Sequence, residues 1–112
     1  MTEARGIEVT EIVHCAVAPV HQVLAALQDP VRLEMVRRLR NAGAPVQCSA
    51  LYDGINKSTA THHFKILREA GLTERLPADG MIYQRLRGAD VDAALPGLLD
   101  AVVASANRQA GQ

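Results

Sequence analysis

Apolar positions first repeat at helical spacing between residues 19 and 42. A stripe directly after Pro19 predicts a helix that runs to about Gln28, because proline is well tolerated at the first helical position. Asp29 and Pro30 then supply an N-cap and a first residue for a second helix, and the sequence NAG at residues 41–43 supplies its stop. Two helices joined almost without a loop are therefore predicted for residues 19–42.

The next segment predicts a helix-turn-helix unit over residues 46–71. After Pro45 the stretch VQCSALYDGI is too short for a long helix and lacks the alternation of a strand, which favours one or two helical turns. Ser58 is the expected N-cap of a longer helix from Thr59 to Ala70, and Gly71 stands where a left-handed residue ends a helix. A tight turn followed by a longer helix is the layout of this unit.

Two short β-prone runs, LTERLP and MIYQRL, surround Ala78-Asp79-Gly80 and predict a hairpin over residues 72–87. A last apolar stripe predicts a helix over residues 90–107. Pro96 falls inside that stripe, so either a kink or a later start near Leu95 is expected. Residues 1–18 show no helical stripe and form either a short strand or an irregular arm.

These elements fit one domain of 112 residues that is mainly α-helical with a small β-hairpin. The core must be aliphatic, since the chain has no Trp, one Phe and two Tyr. The formal charge is zero, but residues 32–87 carry ten Lys and Arg against five Asp and Glu, while both ends are acidic. A basic centre favours a polyanionic partner.

Cys15 and Cys48 are too few for a disulfide framework and match no zinc-finger or CxxC spacing. Reduced thiols in a cytoplasmic protein are the expectation. The apolar run at residues 12–20 follows acidic residues instead of a basic region, which argues against a signal peptide. No stretch approaches the roughly 20 apolar residues of a membrane span, so no membrane partner is expected.

The adjacent histidines His62 and His63 are the most conspicuous candidates for chemistry. Adjacent helical residues diverge by roughly 100°, so the two rings cannot chelate one metal ion together. The neighbouring hydroxyl residues have no carboxylate in reach and no oxyanion device, so catalysis is not expected and the protein is not predicted to be an enzyme. On a helical wheel His63 joins the core side, where a packed, hydrogen-bonded role is expected, while His62 lies on the opposite, polar side.

That polar side combines hydroxyls, an imidazole and long cations, which suit phosphate oxygens and base edges of DNA. An ordinary solvated helix face is the alternative, but the position between a tight turn and a basic hairpin favours DNA contact. The predicted DNA-binding residues are Lys57, Ser58, Thr59, Thr61, His62, Lys65 and Arg68, with Arg85 and Arg87 on the hairpin.

Three stretches together resemble the ArsR/SmtB-type winged-helix repressors of bacteria: LAALQDPVRLEMVRRL, NKSTATHHFKILREAGLTER and GMIYQRL. They correspond to that family's DP-x-RL helix start, its HHLK-type recognition helix and its wing, and the likeness covers residues 20–88 in order. The resemblance implies a winged helix-turn-helix with the order α1-α2-α3-α4-β1-β2-α5. It also implies a repressor that binds double-stranded operator DNA and leaves it when an inducer binds.

A homodimer built by the first and last helices is a further implication of the resemblance. The apolar stripes of both helices favour it, with a role in the core of the single chain as the alternative for either stripe. The expected interface residues are Val20, Val23, Leu24, Leu27, Leu95, Leu98, Leu99 and Val102.

The sensing sites of metal-responsive relatives are missing from this sequence. The positions that match their CxC pair are Gln47 and Ser49, with Cys48 between them, and the D-x-H pair of the last helix is replaced by two acids, Asp90 and Asp92. No bound metal or cofactor is therefore expected. Cys48 remains a candidate thiol sensor with Cys15 as a possible partner, because a thiol near a helix N-terminus has its thiolate favoured.

Several alternatives stay open at this point. Free cysteines are often buried and inert, and a three-coordinate metalloid site from Cys15, His14 and Cys48 is conceivable. An effector could instead enter an apolar pocket between the first and last helices. The domain could also be a winged helix used for protein contact. The sequence leaves the inducer and the operator unknown.

Overall fold

The computed structural model describes residues 16–111. Within that range five α-helices and three strands follow one another, with a 3₁₀ turn at Cys48–Ala50. The elements are α1 Val20–Leu27, α2 Pro30–Ala42, β1 Val46–Gln47, α3 Lys57–Glu69, β2 Thr73–Ala78, β3 Met81–Leu86, α4 Gly88–Ala94 and α5 Leu98–Gln109. The predicted mainly helical class with a small hairpin is confirmed. Most of the predicted N-terminal arm, with His14 and Cys15, lies outside the described residues.

The junction between α1 and α2 forms as the sequence predicts. The Asp29 carboxylate accepts hydrogen bonds from the amides of Val31 at 2.8 Å and Arg32 at 3.2 Å, and Pro30 follows at the first helical position. Gly43 ends α2 in the left-handed conformation, with φ of 65°. Local capping chemistry is therefore sufficient to place this tight turn.

The strands form one antiparallel sheet in the order β1-β3-β2. The hairpin register pairs Arg75 with Gln84, and the turn residues Asp79 and Gly80 both have positive φ, as a two-residue turn of this hand requires. Strand β1 was not predicted: Val46 pairs with Gln84, and the segment expected to be helical contains a strand followed by a single 3₁₀ turn. Two residues are too few to show a strand pattern, so β1 depends on its partner.

The predicted helix over residues 90–107 is in fact two helices. Helix α4 ends at Ala94 and α5 begins at Leu98, with Gly97 left-handed at φ of 82° before it. Proline lacks the amide donor and its ring clashes with the carbonyl four residues earlier. Pro96 therefore produces a complete break, and the last helix begins three residues later than the alternative start near Leu95.

Helix α2 is the centre of the fold and packs against α1, α3, α5 and β3. The buried core draws on every helix and contains no ring other than Phe64. Asn41 and Asn107 exchange two amide hydrogen bonds of 2.9 and 3.1 Å between α2 and α5. This scaffold holds α3 against α2 and leaves the far side of α3 exposed. The core side chains are Val23, Ala26, Leu27, Met35, Val36, Leu39, Leu51, Ala60, Phe64, Leu67, Ala70, Leu72, Val91, Leu99 and Val103.

Candidate nucleic-acid interface

Helix α3 begins at Lys57, two residues earlier than the sequence predicts. Asn56, in an extended conformation, is the N-cap, and its side-chain oxygen accepts a hydrogen bond of 2.8 Å from the Thr59 amide. The predicted cap Ser58 instead lies inside the first turn and is exposed. Asparagine caps a helix as well as serine does, and capping at Asn56 leaves the Ser58 hydroxyl on the surface.

The two sides of α3 differ as the helical wheel predicts. Ala60, Phe64 and Leu67 are buried against the core. The Thr61 hydroxyl donates to the Lys57 carbonyl at 2.9 Å, so its oxygen is still able to accept a hydrogen bond. Arg68, at the end of the helix, is half-buried. The exposed residues are Lys57, Ser58, Thr59, Thr61, His62 and Lys65.

The two histidines have the separate environments that the sequence predicts. His62 is exposed, whereas His63 is half-buried and its Nδ1 lies 3.0 Å from a terminal nitrogen of Arg32. The ring centroids are 6.1 Å apart, and residues 16–111 contain no cluster of three or more His, Cys, Asp or Glu that could hold a metal ion. His63 is a packing residue, as expected.

Arg32 connects three helices through one guanidinium. Besides its contact with His63 on α3, its Nε donates to the Ala26 carbonyl of α1 at 2.7 Å and another nitrogen approaches the Ala25 carbonyl at 3.4 Å. Because Arg32 itself belongs to α2, the orientation of α3 is tied to the end of α1. The arginine of the DP-x-RL motif thus has a positioning role that its sequence context alone did not reveal.

The two hairpin arginines that were predicted to contact DNA have different environments. Arg85 is exposed and pairs with Glu74, with its Nε 2.6 Å from the carboxylate. Arg87 is only 8% exposed and its guanidinium contacts Asp90 at 3.2 Å. A buried, paired guanidinium does not face a DNA groove, so the structure contradicts a surface role for Arg87. The sequence did not predict the burial of Arg87, because it does not show how the chain turns from β3 into α4.

Ion pairing sorts the basic residues of the chain's centre into two groups. Arg37 and Arg38 pair with Glu34, and Arg40 pairs with Asp92 and Asp100. The hydrogen bond from Arg37, with a second from Arg38, lowers the pKa of Glu34 to about 2. In contrast, the cations on α3 and β2 make no ion pair with any residue in the 16–111 range; these are Lys57, Lys65, Arg68 and Arg75. Apart from Arg32, whose guanidinium contacts backbone carbonyls and His63, the cations of the chain's centre that lack an ion pair within residues 16–111 therefore lie on and beside α3.

A cleft of about 490 Å³ lies between α3, the hairpin and the 3₁₀ turn, and sequence reasoning missed it. Its walls include Arg75 and Gln84, which face each other across the hairpin. Cys48 is half-buried in this wall, with its sulfur 3.6 Å from Gln84 Nε2. The two-residue turn at Asp79-Gly80 fixes the hairpin register, so the pairing of Arg75 with Gln84 could have been found from the sequence.

Comparison with known proteins places this geometry in a family. A family described as a helix-turn-helix domain matches residues 27–75. The uncharacterized HTH-type transcriptional regulator YceK of Bacillus subtilis (strain 168) is 38% identical over 81 residues, which cover 70% of this chain and 81% of that protein. The chain belongs to the ArsR-type helix-turn-helix transcriptional regulators.

Solved structures agree with this assignment. The transcriptional repressor BigR from Xylella fastidiosa superposes with a TM-score of 0.59 at 28% identity, covering 74% of this chain and 81% of that one. The ArsR-like transcriptional regulator from Rhodococcus sp. RHA1 superposes with a TM-score of 0.57 at 25% identity, covering 82% of this chain and 86% of that one. The predicted winged-helix fold is confirmed: α3 is the second helix of the helix-turn-helix and β2-β3 is the wing. These relatives are transcriptional regulators.

The apolar residues of this regulator that were predicted to form a dimer interface divide by burial. Val23, Leu27 and Leu99 belong to the core of the chain itself, which corrects their assignment, because a filled core position has no surface to offer a partner. Val20 and Leu24 are 48% and 47% exposed, and a groove of about 500 Å³ passes between Leu24 and Val102. Leu95, Leu98 and Val102 are half-buried. None of the described helices has the length and apolarity to span a bilayer.

Proposed function

We propose that this regulator is a DNA-binding transcriptional repressor that inserts α3 into the major groove of its operator. The observation that carries the proposal is the exposed side of α3, whose lysines have no acidic partner within residues 16–111. Phosphates can therefore neutralise these cations without the loss of an internal ion pair, and the release of counterions from DNA then favours binding. The similarity to BigR, which is a transcriptional repressor, supports the direction of regulation.

The proposed contacts follow from position on α3. Lys57 and Lys65 are point charges that suit phosphate oxygens, while Thr61 and His62 carry the hydrogen-bonding groups that suit base edges. Ser58 and Thr59 lie in the first turn, whose amides favour a phosphate. Arg85 on the wing is proposed to meet flanking DNA by exchanging Glu74 for a phosphate.

A homodimer is part of the proposal, with the exposed residues Val20 and Leu24 at its centre and the half-buried residues of α5 beside them. Exposed aliphatic residues next to an apolar groove are typical of an association surface. A two-fold dimer would present two copies of α3 to a near-palindromic operator with half-sites about one turn of DNA apart.

Induction is proposed to act through Cys48. The Cys48 side chain lines the same cleft as Lys57 and Thr61 of the proposed DNA face. A bulky group on the sulfur would enter the space between the wing and α3, so modification of Cys48 is expected to move one against the other and to weaken DNA binding. Cys15 lies outside the described residues, and its partnership with Cys48 stays a prediction.

Fluorescence anisotropy on DNA from the protein's own promoter tests the proposal. Lys65→Ala should weaken binding to every sequence and reduce the slope of log affinity against log salt by about one. Arg108→Ala removes the same charge from the end of α5 and is the matched control, for which no change is expected. His62→Ala should mainly reduce sequence preference, by about 1–3 kcal/mol for a good base contact.

Two results would contradict the proposal. Equal losses in Lys65→Ala and Arg108→Ala would show that only overall charge matters. Binding that ignores the promoter sequence, or that fails at low salt, would favour a winged helix used for protein contact.

A further inference from the structure

The cleft between α3, the wing and the 3₁₀ turn has the dimensions and lining of a small-molecule site. Its volume of about 490 Å³ falls within the range of about 300–1,000 Å³ that is usual for ligand pockets. One part of the lining is aromatic: Tyr52 and Phe64 meet edge to face with their ring centroids 6.2 Å apart. An aromatic ring of a ligand could pack against this pair.

The charged part of the lining has one sign. Lys57, Arg68 and Arg75 line the cleft, whereas no Asp or Glu does. None of the three forms an ion pair with another residue of the 16–111 segment. A cleft that brings unpaired cations together without a carboxylate favours an anionic occupant.

The buried amide of Gln84 is a third feature of the cleft that a ligand should match. Gln84 is 2% exposed, and its Oε1 has no hydrogen-bond partner among the described residues. Buried polar atoms nearly always have a partner, and the cost of leaving one unsatisfied is large. Gln84 lines the cleft, and a rotation of its amide would bring the enclosed oxygen to a ligand there, whose hydroxyl group would supply the donor that it lacks.

We propose that this cleft binds a small aromatic hydroxy acid, with its carboxylate on Arg75 and Arg68, its ring beside Phe64 and Tyr52, and its hydroxyl toward Gln84. The effector site is therefore distinct from the apolar groove between α1 and α5. This inference deepens the proposed function and rests on it in one respect: Lys57 and Thr61 belong to both the cleft lining and the proposed DNA face. Ligand and DNA then exclude each other by direct competition.

The binding step can be tested without DNA. The probes are 6-hydroxy-2-naphthoate, 2-naphthoate, which lacks the hydroxyl, and 6-hydroxy-2-naphthamide, which lacks the charge; each is titrated into the full chain by calorimetry. The hydroxy acid should bind best, the acid without the hydroxyl about fivefold more weakly, and the neutral amide at least about tenfold more weakly.

Matched variants locate the site. Arg75→Gln should weaken the hydroxy acid about tenfold, because it removes a charge-assisted hydrogen bond. Arg85→Gln removes the same charge from the same hairpin, but residue 85 is one position from Gln84 along β3 and so lies on the opposite face. It should leave binding of the hydroxy acid unchanged.

Three outcomes would overturn the inference: no binding of either naphthoate, equal binding of the acid and the amide, or equal effects of the two arginine variants. If neither naphthoate binds and Arg75→Gln weakens DNA binding, the cleft holds the DNA backbone and not an effector. Anisotropy with operator DNA keeps the two proposals apart, since ligand binding without any DNA binding would refute only the proposed function. Where both occur, the hydroxy acid should raise the apparent Kd for DNA in proportion to its concentration.

Discussion

Gly71 closes α3 at a place where the backbone leaves no room for a side chain. Its φ is +80°, and a Cβ at this position would lie 2.7 Å from both the Ala16 carbonyl oxygen and the Val17 Cα. Both neighbours are backbone atoms, so the segment before α1 would have to move. The hydrogen bond of 3.0 Å from the Ala18 amide to the Ala70 carbonyl would then be lost.

We expect Gly71→Ala to lower the free energy of unfolding by about 2–3 kcal/mol, the sum of left-handed strain and one backbone hydrogen bond. The left-handed conformation costs an L-residue roughly 1–2 kcal/mol. A lost hydrogen bond costs about 1 kcal/mol. The close approach of the Ala16 and Val17 backbone, and not the left-handed strain, should cause the part of the loss that comes from the broken hydrogen bond.

Gly43→Ala is the matched control for this experiment. Gly43 also ends a helix, with φ of +65°, but a Cβ there would meet no atom within 4 Å. The Gly43→Ala substitution should therefore lower the free energy of unfolding only by the left-handed strain of roughly 1–2 kcal/mol. Urea unfolding followed by circular dichroism at one protein concentration measures both losses. Equal losses in the two variants would refute the reasoning, because the contact with Ala16 and Val17 would then contribute nothing.

Four further predictions concern other parts of the molecule. Arg32→Met removes the hydrogen bonds that link α1, α2 and α3, and should lower the free energy of unfolding by about 2–3 kcal/mol; an unchanged urea midpoint would contradict the link. The pKa of Glu34 lies well below its ordinary value because Arg37 and Arg38 donate to it. The stability that Glu34 contributes is therefore fully present above pH 4.5 and lost as the pH falls toward 2, so Glu34→Gln should flatten the acid side of the stability curve, and an unaltered curve would argue against this pairing. N-ethylmaleimide alkylates a cysteine when the thiol adds across the maleimide double bond. This treatment should release a Cys15→Ser protein from DNA but not a protein that carries both Cys15→Ser and Cys48→Ser. Release of both proteins would exclude Cys48 as the sensor. Leu24→Lys places a charge on the proposed dimer surface and should yield a monomer in sedimentation velocity, while an intact dimer would move the interface elsewhere.

The parts of the fold that the sequence predicts are those set by local chemistry. Asp29 and Pro30 define a helix start, and Gly43 and Gly71 define helix ends, because each acts on backbone groups within one turn of itself. The Asp79-Gly80 turn likewise places the wing. The exposed side of α3 was predictable for the same reason, since a regular helix carries its periodicity wherever it packs.

The parts that were missed depend on residues distant in sequence. Strand β1 exists because Val46 pairs with Gln84, which lies 38 positions away. The burial of Arg87 depends on how the chain enters α4, and Val23 and Leu27 proved to be core because α1 packs on α2 and not on a partner alone. The cleft combines three elements, so no single stretch of sequence contains its pattern. Ser58 was a different kind of error, because two good capping residues stood close together and local rules did not rank them.

The Arg32 guanidinium has a thermodynamic consequence for the proposed dimer. It holds the carbonyls at the end of α1 and the ring of His63 on α3 at once, so a displacement of α1 cannot leave α3 unaffected. If α1 lies at the subunit interface, subunit association and operator affinity share a coupling free energy, which is reciprocal. Operator DNA should then tighten the dimer by the same factor by which dimer formation tightens DNA binding. Arg32→Met should reduce both factors together.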